Sequence, residues 1–167
     1  MPNEVTIDTN VFVHLLNPLN NAGDHIDQLL SSLVERQMTL CVDNKGRIEG
    51  EYTTHVVPLF QKASDQDLKI FWLRYFMDDN HKELVPIKFG DSLMVSIRRQ
   101  IRFAEPSDHV FVYVAISSNS VLVSNNPRHI TNHRVALRKC ARTHGSKTTD
   151  FVTSQQAVDA FSSETNE

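Results

Sequence analysis

The sequence predicts an α/β fold in which a parallel sheet carries helices on both faces. Two observations support this. Short apolar stretches of strand length, Val5-Thr6-Ile7-Asp8, Thr39-Leu40-Cys41-Val42 and Val121-Leu122-Val123-Ser124, are separated by longer segments whose apolar residues recur at helical spacing. Strands joined through helices pair in parallel. Each stretch also ends at a polar residue: Asp8 after the first, Asp43 after the second, Asn125-Asn126 after the third. Parallel sheets place functional groups beyond the carboxyl ends of their strands, so the repetition points to a site rather than to scattered polar residues.

The elements follow in order. After the first strand, Val11-Phe12-Val13-His14-Leu15-Leu16 fits the start of a buried helix, with Thr9 or Asn10 as its cap. Asn17 to Gly23, rich in Asn and Pro, reads as a loop. From Asp24 to about Arg36, Ile26, Leu29, Leu30 and Leu33 form one apolar stripe. The second strand closes in the turn Asp43-Asn44-Lys45-Gly46, and one helix is expected from about Arg47 to Lys62, with Ile48, Tyr52, Val56 and Leu59 inward. Ser64 is expected to cap an aromatic helix holding Leu68, Phe71, Trp72 and Tyr75. Leu84 to Ile87 is a weaker extended segment.

Asp91 opens a helix through about Phe103, and Glu105-Pro106-Ser107-Asp108 is a helix entry ahead of the apolar run Val110 to Ile116, with Ser107 the preferred cap. A basic helix is expected near Arg134 to Cys140. Asp150 to Thr153 reads as a last strand, and Ser154 as the cap of a closing helix with Ala157, Val158 and Phe161.

The chain has 167 residues, 40% hydrophobic and 22% charged. That is room for one domain, residues 1–161, followed by a polar tail from 162 to 167. The longest apolar run is far too short to cross a bilayer. Absence of a secretory leader pattern, with Cys41 and Cys140 outside any metal-ligand spacing, leads us to expect a cytoplasmic protein with free thiols. The net charge of −3 hides an asymmetry. Between His109 and Thr149 there is no acid, but there are six bases, Arg128, Arg134, Arg138, Lys139, Arg142 and Lys147. Arg98, Arg99 and Arg102 form a second knot. A one-sided basic block suits a phosphate-rich partner as well as a solvated helix face.

Several motifs together resemble the PIN-domain nucleases. Val5-Thr6-Ile7-Asp8-Thr9-Asn10 is similar to the family's opening strand and acid. Gly46-Arg47-Ile48-Glu49-Gly50-Glu51-Tyr52 resembles the helix that brings its second acid. Ser107-Asp108 and the helix behind it, then Val121 to Asn126, resemble the third motif, and Asp150 to Ser154 the closing strand and helix. The resemblance runs from about residue 4 to residue 161 and implies a three-layer α/β/α sandwich of four to five parallel strands.

It also implies a metal-dependent endoribonuclease leaving 5′-phosphate and 3′-hydroxyl ends. Asp8, Glu51 and Asp108 would hold Mg²⁺ or Mn²⁺, hard cations that take carboxylate oxygens, and Asn126 would support the metal or the substrate. Thr9, Asn10 and Ser124 would orient the ligands, and Arg128, Arg134 and Arg138 would draw in RNA.

Periodicity does not separate Glu49 from Glu51, which flank the apolar stripe equally; the acid-then-tyrosine pattern of the family favours Glu51. Asn125 and Asn126 are likewise both candidates, where many members carry Asp. Asp43 is a fallback ligand, more simply a turn residue. The protein partners implied are a second copy of the chain and an antitoxin, as in bacterial toxin–antitoxin pairs. The runner-up is a PIN-like module that binds RNA or protein without catalysis, since the fourth carboxylate is missing. His129 and His133 sit at i, i+4 but lack a third ligand for zinc, and no Gly-rich phosphate loop exists.

Overall fold

The structure is a computed structural model that describes all residues except 1–2, 16–22, 63–68, 72 and 164–167. Among the described residues five strands form one sheet: β1 (Glu4–Ile7), β2 (Thr39–Asp43), β3 (Lys82–Val85), β4 (Val121–Val123) and β5 (Asp150–Val152). Their order is β3-β2-β1-β4-β5, and every neighbouring pair is parallel, as expected. The flanking helices are α1 (Thr9–Leu15), α2 (Gly23–Glu35), α3 (Arg47–His55), α4 (Val57–Lys62), α5 (Ser92–Gln100), α6 (Pro106–Ser118), α7 (Arg134–Thr143) and α8 (Ser154–Ser163). None is long and apolar enough to cross a membrane.

The winding order positions the site. The chain builds outward from β1 through β2 to β3, then returns to lay β4 and β5 on the other side. The direction reverses between β1 and β4. At such a switch point the connections leave in opposite directions and open a crevice beyond the strand ends. Asp8 follows β1 and Ser124 follows β4, so both stand at that crevice.

The central strands are buried on both faces, which their unbroken apolar character requires. Val5, Ile7, Leu40, Val42, Leu122 and Val123 belong to one core cluster with Phe12, Tyr52 and Phe111. Each such side chain contributes about 1.5–3 kcal/mol by leaving water. Helix α6 is apolar all round, and Val110 to Ile116 are all buried. The exceptions at its start are Ser107, Asp108 and His109, and the first two stand where the helix emerges at the crevice.

Several boundaries correct the sequence expectation. The single helix from Arg47 to Lys62 is two, because Pro58 has no N–H for the Thr54 carbonyl. The first helix stops at Val56, whose N–H reaches the Tyr52 carbonyl, and the second restarts from the Val56 carbonyl. Helix α1 is capped by Asp8 rather than by Thr9 or Asn10: its Oδ1 accepts the Asn10 N–H at 3.1 Å. Glu105, not Ser107, is the cap of α6, in a reciprocal box with Asp108. Thr153 does for α8 what Ser154 was expected to do, exchanging two bonds with Gln156.

His129 and His133 share no helical face. His129 lies in a turn and His133 ends a short 3₁₀ segment. Leu73–Met77 is a π-helical turn; Ser64, Leu68 and Trp72 of the expected aromatic helix, and the loop residues 17–22, lie outside the described residues.

Candidate active site

Asp8 is the innermost acid, 3% exposed. Its backbone extends the β1–β4 ladder by donating to the Val123 carbonyl at 2.9 Å, which fixes where the side chain starts. Oδ2 accepts from Ser124 Oγ at 2.7 Å and from Asn10 Nδ2 at 2.8 Å. Asn10 Oδ1 in turn accepts the Asn125 N–H at 3.1 Å, and Ser124 Oγ accepts the Asn126 N–H at 3.1 Å. The tips of β1 and β4 are thus stitched together through one carboxylate. Burial pushes the Asp8 carboxyl up to about 6, and the nearby charge of Asp108 adds to the rise against the Ser124 and Asn10 bonds that lower it.

Asp108 faces Asp8 from the first turn of α6. Its Oδ2 accepts the Glu105 N–H at 3.1 Å and lies 3.0 Å from His129 Nδ1, while Asn126 Nδ2 stands 3.4 Å from its Oδ1. Asn126 Oδ1 accepts the His129 N–H at 3.1 Å, which aims the imidazole at the acid. The third acid comes from α3. Tyr52 donates its hydroxyl to the Ile7 carbonyl, pinning that helix to β1 and placing Glu51, the residue before it, over the same crevice. Burial drives the Tyr52 hydroxyl well above its ordinary pKa, so it stays a neutral donor.

The result is one cavity of about 280 Å³ lined by Asp8, Glu51, Asp108 and Asn126 from four remote stretches of chain, together with Thr9, Asn10, Glu105, Ser107 and His129. Val13 and Phe111 supply its apolar wall. Glu51 also borders a wider cavity of about 580 Å³ that runs along α3 past Arg47, Gly50 and His55 and meets the start of α6 at Glu105.

The two pairs of candidates separate by position. Glu49 turns away and pairs with Lys82 at 2.8 Å, on the β3 side. Asn125 bonds Ser154, its Nδ2 reaching Oγ at 3.0 Å, and so ties β4 to α8, whereas Asn126 faces the cavity. Asp43 is fully buried and accepts the N–H groups of Lys45, Arg47 and Ile48 at 3.0, 3.2 and 2.8 Å. It holds the start of α3 where Gly46, at φ 70°, has no side chain to do so, and it has no part in the cavity. Of the three arginines expected to face RNA, none lines either cavity. Arg128 is exposed beside His129, Arg134 is half-buried, and Arg138 is engaged with Asp150 at 2.7 and 2.5 Å.

His129 is the group the sequence did not reveal as part of the site. Its spacing to His133 suggested a helix pair, while the informative neighbour was Asn126, three residues earlier, whose side chain turns the chain back.

A hard cation is compatible with this donor set. The inner groups are oxygen donors, two of them carboxylates that raise each other's energy when both are charged. Thr9 and His129 line the cavity, and Thr9 Oγ1 and His129 Nε2 are buried without a hydrogen-bond partner among the described residues. Among the described residues no three His, Cys, Asp or Glu side chains are gathered closely enough to form a ready-made ligand group. No protein-family model matches the chain, and no curated protein matches it in sequence.

Proposed function

We propose that this chain is a metal-dependent endoribonuclease of the PIN-like type. The observation that carries the proposal is the convergence of Asp8, Glu51, Asp108 and Asn126, from four separate elements, on one cavity at the switch point of a parallel sheet. Asp8 and Asp108 would hold Mg²⁺ or Mn²⁺, Glu51 from α3 would add a further carboxylate to the same cavity, and the Asn126 amide would orient a phosphate oxygen. When bound, such an ion acidifies water and covers the charge that grows on a phosphodiester under attack.

The protein supplies position. Ser124 and Asn10 fix the Asp8 oxygens, Glu105 and His129 fix those of Asp108, and Phe111 and Val13 form the apolar side of the cavity. Cleavage of single-stranded RNA with Mn²⁺ tests this. Asp8→Asn and Asp108→Asn should each lower the rate by about a hundredfold or more, and undiminished activity in Asp8→Asn would remove the site.

A second reading, a PIN-like module that binds without cutting, is favoured by two features: an amide where a fourth carboxylate would add charge, and the lack among the described residues of any three ligating side chains gathered together. Calorimetry with Mn²⁺ separates the two, since heat absent at millimolar metal favours the binding module.

A further inference from the structure

Phe103 is the most exposed large apolar side chain of the described chain, with 80% of its surface in solvent. It stands in the turn between α5 and α6. That turn is itself firmly held: Ile101 is buried, the Ala104 N–H donates to the Ile101 carbonyl at 3.0 Å, and His109 Nε2 lies 3.1 Å from the same oxygen. The ring therefore projects from a fixed base. Arg98 and Arg99, on the last turn of α5, and Arg102 are all exposed, and the Arg102 guanidinium lies 5.5 Å from the Phe103 ring centroid. None of the three pairs with a carboxylate among the described residues. Two residues beyond Phe103, within roughly 7 Å of chain, Glu105 lines both the carboxylate cavity and the wider one along α3.

We infer that Phe103, with Arg98, Arg99 and Arg102 around it, is a stacking platform for an unpaired base of an RNA strand approaching the carboxylate cavity. An aromatic face left in water with cations beside it suits a polynucleotide better than an apolar protein surface. The ring takes a base by its face and the guanidinium groups neutralise the phosphates on either side. A duplex offers the phosphates but no free base face, because its bases are already stacked on each other. The platform thus selects single strands. It rests on the nuclease reading for the direction in which the strand runs, but its binding needs no catalysis.

The experiment is fluorescence anisotropy with a labelled RNA free of self-complementarity, in EDTA, comparing wild type with Phe103→Ala and Phe103→Trp. The same RNA annealed to its complement serves as the duplex. Phe103→Ala should weaken single-strand binding about tenfold with no change in thermal unfolding, since the ring buries little. Phe103→Trp should restore it, and duplex binding should be the same in all three. Equal affinity of wild type and Phe103→Ala, loss in Phe103→Trp as large as in Phe103→Ala, or failure of the wild type to bind would each overturn the platform. Cleavage with Mn²⁺ is read separately: a wild type that binds through Phe103 but does not cut sinks only the nuclease reading.

Discussion

Asp8→Asn tests whether the crevice is a place of stored electrostatic cost. Burial, helped by Asp108, raises the Asp8 carboxyl from 3.8 to about 6. For an acid whose folded pKa is raised, the native state holds its proton more tightly than the unfolded chain does. Stability is therefore lost as the pH climbs from about 4 to about 6, and the full penalty persists above that. Converted at about 1.4 kcal/mol per pH unit, the gap amounts to about 3 kcal/mol.

The amide escapes that penalty but surrenders part of the hydrogen bonding. Asp8 Oδ2 takes donors from both Ser124 and Asn10, and an NH₂ in its place meets the Asn10 amide donor to donor. The Ser124 hydroxyl can rotate and accept; the Asn10 side chain is held by its bond from the Asn125 N–H. The loss is worth about 1 kcal/mol.

In metal-free buffer Asp8→Asn should therefore unfold at higher urea than wild type near pH 7, by about 1–2 kcal/mol, and at lower urea near pH 3, by about 1 kcal/mol. Millimolar Mn²⁺ should reverse the order at neutral pH, because only the wild type gains from binding. A difference between the two proteins that stays constant from acid to neutral pH would refute the reasoning, whichever protein were the more stable.

Three further outcomes follow from the same geometry. Glu51→Gln should lower Mn²⁺-dependent RNA cleavage by about tenfold or more, whereas Glu49→Gln, which loses a pair with Lys82 on the far side of the helix, should leave the rate within about twofold; equal losses in the two would mean that facing the cavity is not what matters. Ser124→Ala should cost about 1–3 kcal/mol, measured by urea unfolding, and the cost should grow with pH through the neutral range, since that hydroxyl is the chief bond lowering the Asp8 pKa. Gly50→Trp would fill the wider cavity from α3, where an added Cβ meets nothing within 4 Å; RNA cleavage should fall about tenfold or more while hydrolysis of bis(p-nitrophenyl) phosphate and the unfolding temperature hold, and loss of both activities together would argue that the substitution disturbs the acids instead.

The fold was legible because its determinants are local. Three runs of apolar residues, each ended by a polar one, with helical periodicity between them, suffice to specify a parallel sheet and to say at which end of it the polar residues gather. The acids at strand and helix ends were legible for the same reason: Asp8 and Asp108 are placed by the element that precedes or follows them.

What escaped was set by tertiary context. Glu49 and Glu51 are equivalent about the apolar stripe of their helix; only the edge strand carrying Lys82, which takes Glu49, makes them different. Asn125 and Asn126 differ only because Ser154, 29 residues on, claims the first. His129 was hidden by a pattern that was present but irrelevant, its spacing to His133, while its real partner, Asp108, lies 21 residues earlier and reaches it only after β4 has brought the two together. Arg138 shows the converse. Its charge made it a candidate for RNA, yet a carboxylate 12 residues away, Asp150 at the start of an edge strand, takes both sides of its guanidinium. Charge counted along a sequence overstates what is on offer to a ligand, because the fold takes its own share first. The basic groups to test first are therefore those left unpaired around Phe103.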